Sequence, residues 1–131
     1  MNRARSFIFS TAPVPAAAAA ATAGIQLIQS GEGEKRRAQL WQGIGEFKSG
    51  SGNRKPEISA AIIPLMLGDE TKAVSAAAKL RAQNIFVPAI RYPTVARGAA
   101  RLRVTITAAH TREDIGQLSN ALKTLDIGFQ A

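Results

Sequence analysis

In ARLRVTIT, residues 100–107, Leu102, Val104 and Ile106 alternate with Arg101, Arg103, Thr105 and Thr107. This period of two predicts a strand with one face in a core and the other polar. The run ISAAIIPLMLGDE reads as a second, buried strand, because it is short, apolar and followed by Gly68 and Asp69. Pro64 has no N–H to give a ladder, which places that strand near a sheet edge. A third, brief strand is expected in IFVPAI, stopped by Pro88.

The helical period appears elsewhere. PAAAAAATAGIQLIQ predicts a helix from Pro15 to Gln29, alanine having the strongest helix propensity and Pro15 suiting the first turn. Residues 30–34 then read as capping material for a second helix, in which Ala38, Trp41, Ile44 and Phe47 recur at helical spacing and Gly43 and Gly45 weaken it. SGSGNRKPE is a connecting loop. Asp69 is placed to cap a helix over TKAVSAAAKLRAQ, which Asn84 ends in the left-handed conformation. In HTREDIGQLSNAL, Thr111 and Asp114 have capping-box spacing, and Ile115, Leu118, Ala121, Leu122 and Leu125 form one apolar stripe. The order is helix, helix, strand, helix, strand, loop, strand, helix: an α+β layer with helices packed on a short sheet. The large apolar side chains concentrate after residue 58, so the compact layer is expected there. The earlier helices, alanine-rich and glycine-broken, have less to bury.

The 131 residues suit one domain-sized core, and no stretch carries enough consecutive apolar residues to span a bilayer. The absence of cysteine removes disulfides, thiolate catalysis and cysteine-ligated metals, and leaves the cytoplasm as the default compartment. The net charge is +8, and from residue 88 to 112 there are five arginines, Arg91, Arg97, Arg101, Arg103 and Arg112, with no Asp or Glu. An anionic partner is expected near them, against the plainer reading of a solvated basic face. Nucleic acid fits less well than a carboxylate, since the chain has one Trp and one Tyr and no pattern of aromatic residues interleaved with the basic ones.

Candidate chemistry narrows further. His110 has no second histidine and no cysteine with which to share a metal, so it reads as structural, and no metal site is expected. Glu113 and Asp114 are explained by the helix start. GEGE and SGSG lack the context of a phosphate loop, and Lys35, Arg36 and Arg37 read as a solvated helix face. Arg91 lies between a strand and Pro93, on backbone that proline stiffens, and Arg103 projects from the polar face of an anchored strand. Both suit a planar, bidentate anion such as a carboxylate.

The run IFVPAIRYPTVARGAARLRVTITAAHT resembles the carboxy-terminal segment of the 8-amino-7-oxononanoate synthases, pyridoxal-phosphate enzymes of the α-oxoamine synthase family. FIFSTAPVPAAAAAA and IIPLMLGD resemble the same family in the same order, so the likeness covers nearly the whole chain. It implies the small carboxy-terminal domain of a fold-type I pyridoxal-phosphate enzyme. Residues 1–48 would be a helical linker to the large cofactor domain, and residues 49–131 the small α+β domain. The opening MNRARSFIFS, basic and followed by alanines like a leader peptide, then reads as internal sequence.

The resemblance also implies site residues: Arg103 for the amino-acid carboxylate, Arg91 and Thr94 on the acyl side, and Ser10 and Thr11 approaching the cofactor phosphate of a neighbouring subunit in a homodimer. The implied substrates are alanine and a pimeloyl thioester, condensed in biotin synthesis with loss of carbon dioxide and release of the thiol. Partners are therefore the large cofactor domain or a second subunit, and neither nucleic acid nor membrane. Ala96 departs from the family, which has proline there. The lysine that forms the Schiff base, in a Thr-x-x-Lys-x-x-Gly-like context, has no counterpart; Lys48 lies on the wrong side of the FIFST segment. No catalytic residue is assigned, and the expectation is a chain inactive alone, or a module that complements a separately encoded cofactor domain.

Overall fold

The computed structural model describes residues 11–50 and 60–125. Two compact units are distinguished, residues 1–36 and residues 37–131. In the first, helix α1 (Pro15–Gln29) begins with proline at its N-terminus and has no buried residue. It ends at Ser30, whose extended backbone breaks the helical path. The Ser30 hydroxyl donates to the Leu27 carbonyl at 2.7 Å and accepts from the Gly33 amide at 3.3 Å. One side chain thus closes one helix and opens the next, α2 (Gly31–Gly50).

The second unit is built on an antiparallel sheet of β1 (Ile62–Gly68), β2 (Ala89–Ile90) and β3 (Ala100–Thr105), in the order β1-β3-β2. The clean alternation of β3 puts it at the centre: Leu102, Val104 and Ile106 are at most 2% exposed. Pro64 lies on β1, an edge strand, opposite Arg103. Helix α3 (Glu70–Arg81) packs across all three strands with Ala73, Ala76 and Leu80. Its N-cap is Asp69, accepting from the Lys72 amide at 2.7 Å, and Asn84 follows its end at φ 61°. Helix α4 (Arg112–Thr124) starts in the expected capping box, and Ile115, Ala121, Leu122 and Leu125 enter the core while Leu118 is half-buried. The architecture is the expected α+β layer.

Three expectations are corrected. Ala38 and Trp41 are exposed, and the buried stripe of α2 is Gly43, Ile44 and Phe47 with Leu40 alongside. The reason is close approach: a Cβ on Gly43 would meet Ile115 Cδ1 at 2.9 Å. The glycine read as a weakness is the contact. Consequently the later turns of α2 belong to the core, with Phe47 fully buried. Finally, Pro88 precedes the short strand and does not stop one, because a proline carbonyl still accepts: Arg103 N donates to Pro88 O at 3.0 Å. Of SGSGNRKPE, Ser49 and Gly50 are helical and the rest lies outside the described residues.

Candidate functional site

Arg91 leaves the sheet just after β2, and its carbonyl accepts from the Thr94 amide at 3.0 Å and, more loosely, from Val95 at 3.4 Å. Residues 91–94 therefore form a closed turn that holds Arg91 and Thr94 together, both side chains exposed. A second turn closes through Ala99 N to Ala96 O at 3.1 Å, with Gly98 at φ 78° where a side chain would strain the backbone. Ala96 thus has a backbone bond that fixes its carbonyl. Arg97 stacks on Tyr92, its guanidinium carbon 4.5 Å from the ring centroid. That stack bridges the two turns, and nothing in the sequence pattern had marked it.

Arg103 is exposed on the polar face of β3, next to Arg101, whose Nε donates to Ala99 O at 3.1 Å. The ladder sets Ile90 opposite Arg101, and the Arg103 amide bonds residue 88. The two forks therefore emerge at different ends of the β2–β3 pairing, separated by three residue steps, about 10 Å along the strand. Arg91 and Thr94 are brought together; Arg103 is not joined to them.

Arg103 instead lines a groove of about 540 Å³. Its walls are the 84–88 segment, the end of β3 through Thr107, and the first turns of α4. Exposed Phe86, stacked on Arg81 at 5.2 Å, supplies an apolar surface, while Arg103, Thr105, Thr107 and His110 supply polar groups. The carboxylate in the groove wall, Asp114, is already bound by Thr111 through N at 2.8 Å and Oγ1 at 2.9 Å. Those two bonds hold its acid strength on the low-pKa side of an ordinary aspartate, so it is an anion at neutral pH. Among the described residues no ion pair engages Arg91, Arg97, Arg101 or Arg103. The grouping offers guanidinium forks to an incoming anion without first breaking an internal pair.

A cofactor site is not assembled by the described residues. Thr11 is exposed ahead of α1, and Ser10 lies outside the described part. The described lysines, Lys35, Lys48, Lys72, Lys79 and Lys123, are all exposed, so none has the desolvated setting that would make its amine a nucleophile. Among the described residues no amine is placed to anchor pyridoxal phosphate. Nor do the described residues contain a cluster suited to a metal ion, or a helix long and apolar enough to cross a membrane.

Residues 1–122 match the aminotransferase class I and II family. The chain is 48% identical over 124 residues to a putative 8-amino-7-oxononanoate synthase of Desulfovibrio desulfuricans, covering 93% of this chain and 32% of the relative. It is 45% identical over 122 residues to 8-amino-7-oxononanoate synthase of Klebsiella pneumoniae, covering 91% and 32%. The chain thus spans about a third of the length of the curated relatives it matches. Among solved structures it is similar to 8-amino-7-oxononanoate synthase of Francisella tularensis, with a TM-score of 0.67 at 26% identity, over 92% of this chain and 36% of that one. A serine palmitoyltransferase from S. paucimobilis, solved with bound PLP and myriocin, gives 0.75 at 26%, over 88% and 30%.

Proposed function

Because the chain belongs to the aminotransferase class I and II family, we propose that it is the carboxy-terminal, substrate-facing part of a pyridoxal-phosphate acyltransferase. The reaction joins alanine to a pimeloyl thioester, releasing carbon dioxide and the thiol, as a step in biotin synthesis. The observation that carries this reading is the closed Arg91–Thr94 turn, in a basic stretch whose Arg91, Arg97, Arg101 and Arg103 no ion pair engages among the described residues, in a chain 48% identical to a putative synthase over 93% of its length. In this division of labour residues 1–48 link to a large cofactor domain and residues 49–131 form the small domain of a cytoplasmic homodimer.

The chemistry needs an electron sink beside the amino acid, which the cofactor supplies when bound. This chain's own residues do the holding. Arg103 takes the amino-acid carboxylate through paired N–H donors from a strand that cannot tilt, its other face being locked in the core. Arg91 and Thr94 meet the acyl substrate. Ser10 and Thr11 would approach the cofactor phosphate of a neighbouring subunit.

The test is reconstitution. The chain with pyridoxal phosphate, alanine and a pimeloyl thioester should give no product above free cofactor, and a matching large domain should restore turnover. In the restored enzyme Arg103→Ala should raise the KM for alanine, and Arg91→Ala or Thr94→Val the KM for the thioester. An alanine KM that responds to Arg91→Ala and not to Arg103→Ala would reverse the two assignments. Steady turnover by the chain alone would overturn the reading.

A further inference from the structure

The connection from β3 to α4 is held by a short knot of hydrogen bonds around the sole histidine. The Thr107 amide donates to His110 Nδ1 at 3.0 Å. In return the His110 amide donates to the Thr107 carbonyl at 3.2 Å, and the Ala109 amide to Thr107 Oγ1 at 3.3 Å. A backbone N–H can only donate. The bond to Nδ1 therefore requires that nitrogen to be bare, which fixes the neutral ring with its proton on Nε2. Among the described residues Nδ1 is the acceptor of this amide. His110 is exposed, so a proton reaches it without any opening of the fold.

We propose that His110 is a pH-dependent latch on the β3–α4 connection, closed when the ring is neutral and released when Nδ1 takes up a proton. Protonation turns the acceptor into a second donor facing the Thr107 N–H, and the turn loses one of the two bonds that join its ends, the bond from the His110 amide to the Thr107 carbonyl remaining. Thr107 and His110 both line the groove that contains Arg103, so release loosens one wall of that groove. Charged groups from two of the three walls share the groove with the ring. Asp114, on α4, is an anion that interacts with the charged ring and favours release, and Arg103, on β3, is a cation on the same lining. The 84–88 wall brings no charge. The latch's consequence for substrate rests on the reading of Arg103 as a carboxylate site, whereas the latch itself does not.

With a single histidine, the imidazole gives one resolvable NMR titration in the full chain. The Thr107 amide shift should follow that titration with the same midpoint. Its hydrogen exchange, corrected for the intrinsic pH effect, should speed up roughly 5- to 10-fold on the acid side, the loss of about one net hydrogen bond. His110→Asn places an oxygen where Nδ1 stood and has nothing to titrate, so Thr107 should stay protected throughout. His110→Gln carries its amide at the Nε2 position, so Thr107 should exchange fast at every pH. A Thr107 amide that ignores the ring titration, or equal protection in the Asn and Gln variants, overturns the latch. These readouts need no ligand, so they stand apart from the alanine KM of Arg103→Ala.

Discussion

Asp114 shows how much one side chain can set at the start of a helix. Its carboxylate receives Thr111 N and Oγ1, and the Thr111 hydroxyl in turn accepts from the Asp114 amide at 3.2 Å. Because these bonds favour the anion, the folded pKa lies below the unfolded one. The contribution is therefore full above the ordinary aspartate pKa and is lost as pH falls through the lowered folded value. Thermal melts from pH 7 down to pH 2 should show that acid-side loss in the parent and a flatter profile in Asp114→Asn. Thr111→Ala should cost about 1 kcal/mol in denaturant unfolding at neutral pH. Ser119 is the opposite case: its hydroxyl is buried, has no hydrogen-bond partner among the described residues, and lies where a Cβ on Gly50 would come within 2.9 Å. Ser119→Ala removes an unmet polar group at little change in volume and should leave the chain as stable or up to about 1 kcal/mol more stable. A clear loss of stability would mean that the hydroxyl has a partner in solution.

At the scale of elements, the junction of α1 and α2 and the face of α2 are both decided by glycine. A Cβ at Gly33 would run into the carbonyl oxygens of Leu27 and Ile28, the latter at 2.6 Å. Backbone atoms have no rotamer with which to step aside, so Gly33→Ala should cost about 1–3 kcal/mol, or reset the angle between the helices. Gly24→Ala is the control, with nothing within 4 Å of the added carbon, and should be neutral or stabilising by circular dichroism melting. Gly43 meets only the far end of Ile115, which can move, so Gly43→Ala should be milder than Gly33→Ala. The surface pair of Glu32 and Arg36 at 2.8 Å sits on the same first turns and holds the glutamate carboxyl below its ordinary pKa. Being exposed, it contributes little to stability.

For the whole chain, burial separates the two compact units. Helix α1 has no buried residue, with Ile25 56% and Ile28 61% exposed, whereas β3 is central and its inward side chains are sealed. Hydrogen exchange should be fastest in residues 15–29 and slowest in β3. Addition of the large domain should slow exchange in α1 if that apolar surface is covered by it. Uniform protection of α1 and β3 in the isolated chain would contradict the burial pattern. Leu102→Ala, at a fully buried site in the middle strand, should lose about 2–5 kcal/mol and unfold the second unit cooperatively.

The elements with a strong local cause were legible in the amino-acid sequence. The period of two in ARLRVTIT, the caps at Asp69 and Thr111, the left-handed Asn84 and the proline at the head of α1 act within a few residues, and each element formed where its signal stood. The family was legible for the same reason, since a contiguous run such as AIR-x-PTV survives as text. Tertiary structure decided what depends on distant neighbours. It chose which side of α2 is buried, because Ile115 approaches at Gly43 and so leaves Trp41 outside. Strand pairing likewise began β2 after Pro88, because Arg103 offers its amide to that carbonyl. The separation of Arg91 from Arg103 followed from the register of β2 on β3, a relation between strands that neither segment encodes alone. Capping and alternation are satisfied locally, whereas face, register and groove are settled only when separate segments compete for the same buried space.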